Sequence, residues 1–322
     1  MINVKSFSLL CAMIICWAPT LAKAADPLPR IITSGNQYET PEGKPVHLRG
    51  VSLCSLDWHK PLDLLKEVTT QWKPNVVRLP VQPKEWKLIS PEKYLSQRLD
   101  PAVKICREQG VYCIIDWHQI DSWDKPEKTK ELENFWKIVA PRYATNTNII
   151  YEVFNEPTNP GVRTRENWIK FREKMQLWVD QIRRDAPHTL LLIGSPNWSQ
   201  LPAFAVEDPV VGNNLAYVMH AYPGNFGPKT WDKFFGNAAK SIPIFMSEWG
   251  WTDNEKAFYV IKGTQQEFGE PLKKYFNERP HIGWTAWSYD PKCGPAMKGK
   301  DKDMGDFVKQ WLDEIDTAES KD

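Results

Sequence analysis

The sequence contains little that would divide the chain, hold it in a membrane or cradle a phosphate. Beyond the first 24 residues no apolar run of membrane-spanning length occurs. No Gly-x-Gly-x-x-Gly or Walker-type loop is present, which removes the usual backbone sites for dinucleotides and nucleoside triphosphates. No Cys-x-x-Cys pair occurs, so a structural zinc site is not expected. Neither sign of charge dominates. With 41 Lys and Arg against 40 Asp and Glu the net charge is +1, which gives no reason to expect nucleic acid or an anionic membrane as partner. No low-complexity linker or charge block separates one part of the chain from another.

What is present begins with a leader. Lys5 precedes an apolar run over residues 7–17, and Ala22-Lys23-Ala24 follows as a small-x-small cleavage site. This is the layout of a secretory signal peptide over residues 1–24, and the run is too short to span a bilayer. The mature chain, residues 25–322, is expected to be a single soluble domain, secreted or periplasmic. Losing Lys5 and Lys23 shifts its net charge from +1 to −1. Of the 16 tryptophans only Trp17 falls in the leader. Many of the others will be core, but those in loops suggest flat faces for stacking on sugar rings. Cys54, Cys106, Cys113 and Cys293 remain, and in an exported protein they allow three full pairings or free buried thiols.

Eight short β-branched or aromatic runs recur, at residues 46–51, 75–79, 111–115, 149–153, 190–194, 215–219, 243–247 and 283–287. Several are nearly continuous apolar stretches, as parallel strands covered on both faces require. Helix-compatible segments lie between or after them, at 62–72, 128–142, 163–185, 255–277 and 303–316. Alternation of this kind, eight times in this length, predicts a (β/α)8 TIM barrel. Chemistry in such barrels sits at the C-terminal ends of the strands. The residues found there are Arg78, Asp116-Trp117-His118, Asn155-Glu156-Pro157, Asn197-Trp198, His220-Ala221-Tyr222, Glu248-Trp249 and Trp287. Two glutamates on opposed strands suit glycoside hydrolysis. A gap of roughly 5–5.5 Å between them leads to retention and a wider one to inversion.

These residues carry a family resemblance. Ile150-Tyr151-Glu152-Val153-Phe154-Asn155-Glu156-Pro157 and Ile244-Phe245-Met246-Ser247-Glu248-Trp249-Gly250 resemble the acid/base and nucleophile segments of glycoside hydrolase family 5. Ile114-Ile115-Asp116-Trp117-His118 and Asn197-Trp198-Ser199-Gln200 are similar to its bacterial cellulases. The resemblance runs from about Leu48 to Trp287. It implies a retaining endo-β-1,4-glucanase that needs no cofactor or metal and acts on a β-linked polysaccharide or oligosaccharide. A monomer is expected. β-Mannanase or xyloglucanase activity is the alternative within the family, and the segment 288–295 departs from the cellulase pattern.

In that reading Glu248 is the nucleophile and Glu156 the acid/base. Arg78 and Tyr222 keep Glu248 ionised. Asn155 donates to the sugar 2-hydroxyl, and His118 and His220 hydrogen-bond at the same subsite. Trp287 forms the floor beneath the sugar, and Trp198 is a candidate platform on the leaving-group side. Trp58, Trp249 and Trp251 are weaker candidates for further platforms. Barrel closure makes the loops after strands one and eight neighbours, which predicts a Cys54–Cys293 disulfide and leaves Cys106 near Cys113. Two other classes compete. A metal-dependent hydrolase would use Asp57, His59, His220 and Asp290, but it leaves both glutamates unexplained. A non-catalytic carbohydrate-binding barrel has no need of the two acids.

Overall fold

The computed structural model describes residues 27–319, so the expected leader lies outside the described residues. Eight parallel strands close into a barrel in sequence order. They are β1 (Arg49–Ser52), β2 (Val76–Val81), β3 (Tyr112–Trp117), β4 (Ile149–Glu152), β5 (Leu190–Ile193), β6 (Leu215–Ala221), β7 (Ile244–Trp249) and β8 (Gly283–Trp287). Closure is made by β8 against β1, where Trp287 pairs with Ser52. Among the described residues no helix is long and apolar enough to cross a membrane.

The period of two along each strand sorts its residues into two populations. Outward residues such as Val77, Ile115, Tyr151 and Met219 pack under the helices in the larger apolar cluster. Inward residues such as Val76, Ile114, Ile150, Val218 and Phe245 fill the lower barrel. Ile31 and Tyr38 plug the bottom of that interior; Tyr38 belongs to a hairpin of Ile32–Ser34 with Gln37–Glu39. One layer further up, two residues later on each strand, the inward positions become Arg78, Asp116, Glu152 and His220. The barrel interior therefore turns from apolar to ionic within a single step of the pleat.

The covering helices are α1 (Pro61–Gln71), α2 (Asp100–Glu108), α3 (Pro126–Tyr143), α4 (Arg165–Asp185), α5 (Glu270–Asn277) and α6 (Lys302–Glu319). α1 and α3 begin on proline, whose missing N–H costs nothing in the first turn. α4 is capped by Thr164, whose hydroxyl accepts from the Asn167 amide at 3.3 Å. The expected helix over 255–277 forms only in its second half. Its first half is a loop because its backbone bonds elsewhere: the Thr252 amide to the Ile261 carbonyl, Gly263 to Thr252, and Gly224 of the preceding loop to Val260. After β5 and β6 only short helical turns stand where full helices would.

Cys54 and Cys293 form a disulfide between the loops after β1 and β8. Cys106 and Cys113 are free and buried. Burial and the neighbouring Cys106 push the Cys113 thiol well above its usual range.

Candidate active site

The ionic layer is organised by Arg78, which is fully buried. Its Nε and Nη2 donate to Glu152 at 2.7 and 3.0 Å, and its Nη1 donates to Glu248 Oε1 at 2.8 Å. Nη2 also donates to Asn155 Oδ1 at 2.6 Å and lies 3.0 Å from Asp116 Oδ2. A planar guanidinium can hold several acceptors at fixed angles in this way, and a lysine cannot. Burial disfavours the Arg78 charge, but Asp116, Glu152 and Glu248 together hold its pKa well above the ordinary value.

Glu248 reaches this layer through an irregularity. Val218 pairs with Phe245, yet His220 pairs with Glu248, so β7 carries one extra residue between the two pairs. Strict alternation from the inward Phe245 would point Ser247 in and Glu248 out. The bulge brings both inside, a use of bulges recurrent beside active sites. Glu248 Oε2 then accepts from the Tyr222 hydroxyl at 3.0 Å. Burial alone would raise the Glu248 carboxyl, but the His220 and Arg78 cations bring it below its ordinary value.

Glu156 follows β4 and keeps 13% of its side chain exposed. Its Oε1 lies 2.8 Å from His220 Nδ1. Burial raises the Glu156 carboxyl, the hydrogen bond to His220 opposes the rise, and the charge of Glu248 adds to it; the net shift is upward. The two carboxyls thus share one chamber and are pushed apart in pKa, which is the pattern of an acid paired with a charged base or nucleophile. A carboxylate oxygen of each and a ring nitrogen of His220 all lie within 4.8 Å of one another.

His220 is buried between acids. Burial works against its charge, but Glu248, Glu152 and Glu156 raise its pKa to about 10. Its Nε2 donates to Ser247 Oγ at 2.9 Å, and that hydroxyl donates to Glu152 Oε1 at 2.9 Å. Despite burial, Arg78 and the His220 ring 3.7 Å away hold Glu152 down to about 2. Asp116 behaves differently. Burial and the Glu152 charge outweigh Arg78 and raise it to about 6.

His118 Nδ1 is 2.7 Å from Asp116 Oδ2, and its ring stacks on Trp287 at 5.1 Å with 4° between planes. Trp287 lies beside Tyr222 and Cys54 in a small apolar cluster at the rim. The Asn155 amide nitrogen is buried with no hydrogen-bond partner. An orphan donor beside two acids is costly unless something else accepts from it.

Eight of the nine residues singled out in the sequence therefore share one site: Glu156, Glu248, Arg78, His118, Asn155, His220, Tyr222 and Trp287. Trp198 lies on the turn after β5, where its backbone is left-handed (φ 59°) and it is 41% exposed; that turn borders the site, since the Ser199 hydroxyl donates to the Asn155 carbonyl at 2.6 Å. Trp58 is also on the surface, donating to Glu85 at 3.3 Å. Trp249 and Trp251 are not platforms. They are core, stacked on each other, with Trp249 against Trp284 and Trp311. The metal set of the competing reading does not assemble. Asp57 pairs with Arg98 and Tyr94, His59 with Asp290, and His220 with the acids of the barrel. Glu156, His220 and Glu248 are close enough to hold an ion; in the arrangement seen, the two His220 nitrogens face Glu156 and the Ser247 hydroxyl.

Two residues of this layer, Glu152 and Ser247, were not singled out in the sequence, and Asp116 stood there as a strand-end residue without a role. The signal for the two acids was present, since each stands two residues after an inward apolar residue in a strand covered on both faces. Ser247 carried no comparable signal.

A β/α barrel whose rim holds two close carboxyls of opposed pKa, an aromatic floor and an orphan amide is built as the glycoside hydrolases are. The model of the cellulase family, glycosyl hydrolase family 5, matches residues 40–293, and the chain belongs to that family. It is 27% identical over 286 residues to an endoglucanase of Clostridium saccharobutylicum, covering 86% of this chain and 61% of that protein. It is 31% identical over 258 residues to endoglucanase N of Pectobacterium atrosepticum, covering 78% of this chain and 55% of the relative. The chain thus spans only a little over half the length of these relatives. The crystal structure of a β-glucanase from Saccharophagus degradans superposes with a TM-score of 0.79 at 27% identity, over 91% of this chain and 95% of that one. That β-glucanase has also been solved in complex with cellotetraose.

Proposed function

We propose that this protein is an exported endo-β-1,4-glucanase that hydrolyses β-linked glucan with retention of configuration. The observation that carries the reading is the pair Glu156 and Glu248, with oxygens within 4.8 Å and opposite shifts in pKa. Inverting enzymes hold their carboxyls roughly 6.5–9.5 Å apart to admit a water between them. Glu248, ionised by Arg78, His220 and Tyr222, attacks the anomeric carbon. Glu156 gives its proton to the departing glycosidic oxygen, while its Oε1 accepts from His220. The glycosyl ester on Glu248 is then cleaved by a water whose proton passes to Glu156, restoring both groups. Asn155 supplies a donor for the 2-hydroxyl, and Trp287, stiffened by the stacked His118, supports the sugar ring.

Names and complexes of the relatives favour β-1,4-glucan over mannan. The test has two parts. Product analysis on carboxymethylcellulose, mixed-linkage glucan, xyloglucan and mannan should show internal cleavage of the glucans; activity on mannan alone overturns the substrate. Glu248→Ala supplied with azide should yield the α-glycosyl azide, and a β product rejects Glu248 as nucleophile. Export is tested by fractionating cells that express the full chain and locating the protein outside the cytoplasm.

A further inference from the structure

Beside the Trp198 turn, the loops after β4, β5 and β6 enclose a cavity of about 360 Å³ lined by Arg163, Gln200, Phe204, Lys233 and Phe234 among others. This is within the roughly 300–1,000 Å³ typical of small-ligand sites. Its lining carries two cations and no carboxylate. Arg163 and Lys233 both face it, and among the described residues neither has a carboxylate partner. The nearby acids are engaged elsewhere: Asp232 with Tyr275 and Arg279, Glu207 and Asp208 with Arg165. Arg163 is nonetheless held in place. Its guanidinium lies 5.8 Å from the Phe226 ring and 5.7 Å from the Phe234 ring, and its Nη2 donates to the buried Gln200 at 3.2 Å. Lys233 Nζ is 5.7 Å from the same Phe234 ring.

Two cations without counter-charges, each over an aromatic ring at the rim of a glycan-cleaving barrel, match a sugar bearing a carboxylate. The guanidinium forks onto the carboxylate, the ammonium adds charge, and the apolar face of the pyranose rests on the rings of Phe204 and Phe234. We propose that this cavity is a side subsite for an anionic substituent or uronic-acid residue on the glucan, so that the substrate includes charged as well as neutral chains. This rests on the glucanase reading above and adds to it the charge of the preferred chain.

The test compares the parent protein with Arg163→Gln/Lys233→Gln on carboxymethylcellulose and on neutral mixed-linkage glucan. On carboxymethylcellulose kcat/KM should fall roughly threefold to tenfold, as expected for losing two partly exposed charge contacts, and on the neutral glucan it should stay unchanged. Raising the salt concentration should erase the difference between parent and variant. Equal losses on both substrates, or none on the anionic one, overturn the subsite. If the parent cleaves neither, the glucanase reading fails instead. The subsite is then judged by retardation in native gels containing carboxymethylcellulose against hydroxyethylcellulose, where equal retardation of parent and variant by the charged polymer rejects it.

Discussion

Replacing Arg78 by glutamine removes the cation that contacts Glu248 at 2.8 Å and also serves Glu152, Asp116 and Asn155. For unit charges at that distance, an effective dielectric of about 20 gives an attraction near 6 kcal/mol. His220 remains, and the carboxyls can take up protons, so only part of this will be felt. The Glu248 pKa should rise, because burial still disfavours its charge and the Arg78 cation no longer opposes that. The direction follows from what the group must do. Glu248 acts ionised and is held low in the parent, so the acid limb of kcat/KM moves to higher pH, and activity at pH 5 suffers far more than at pH 7. Arg78→Lys keeps the charge and loses the fork. It should leave the acid limb nearly in place while kcat drops, because Asn155 and Glu152 lose a shared nitrogen. Both profiles are to be measured on a soluble glucan, with near-ultraviolet circular dichroism to establish folding. A folded glutamine variant whose acid limb has not moved would refute the assignment of Arg78 as the group that ionises the nucleophile.

Three further outcomes can be checked independently. His220, raised to about 10 from an ordinary 6.5, contributes protonation-linked stability that is complete below about pH 6.5 and is lost as pH rises through 10. Urea midpoints between pH 6 and 10 should therefore fall in the parent and fall less in His220→Gln; parallel curves would count against the buried imidazolium. Opening the Cys54–Cys293 bridge, which closes 239 residues of chain, should cost roughly 2–5 kcal/mol of unfolding free energy, and a double serine variant within about 1 kcal/mol of the parent contradicts this. Asn155→Ala should lower kcat about tenfold or more on an aryl β-glucoside and much less on its 2-deoxy analogue. Equal losses on the two substrates would mean that the amide does not meet the 2-hydroxyl.

The barrel was legible because its strands are short apolar runs at regular spacing, and Arg78, Glu156, Glu248 and His220 stood at the ends of such runs. The disulfide followed from the same topology, since closing the barrel makes the loops after β1 and β8 neighbours. Helix extent was less readable. Residues 255–264 have helix-compatible composition, but their backbone finds partners across the loop, with Thr252 bonded to Ile261 and Gly263. Trp249 and Trp251 were misjudged for a related reason. A tryptophan at a strand end can face the sugar or the helices, and composition does not say which.

What the sequence determined by itself was the order of strands, the identity of the residues at their ends and the family to which the chain belongs. These depend on local pattern and on motifs that survive intact in one dimension. What only the tertiary structure decided was the electrostatics. The extra residue in β7 turns Glu248 inward against the alternation of its own strand. The pleat places Glu152 and Asp116 against Arg78, and the closed interior strips water from all of them. The opposed pKa shifts of Glu156 and Glu248 arise from that shared burial and from distances across the barrel, and neighbours in sequence cannot encode either.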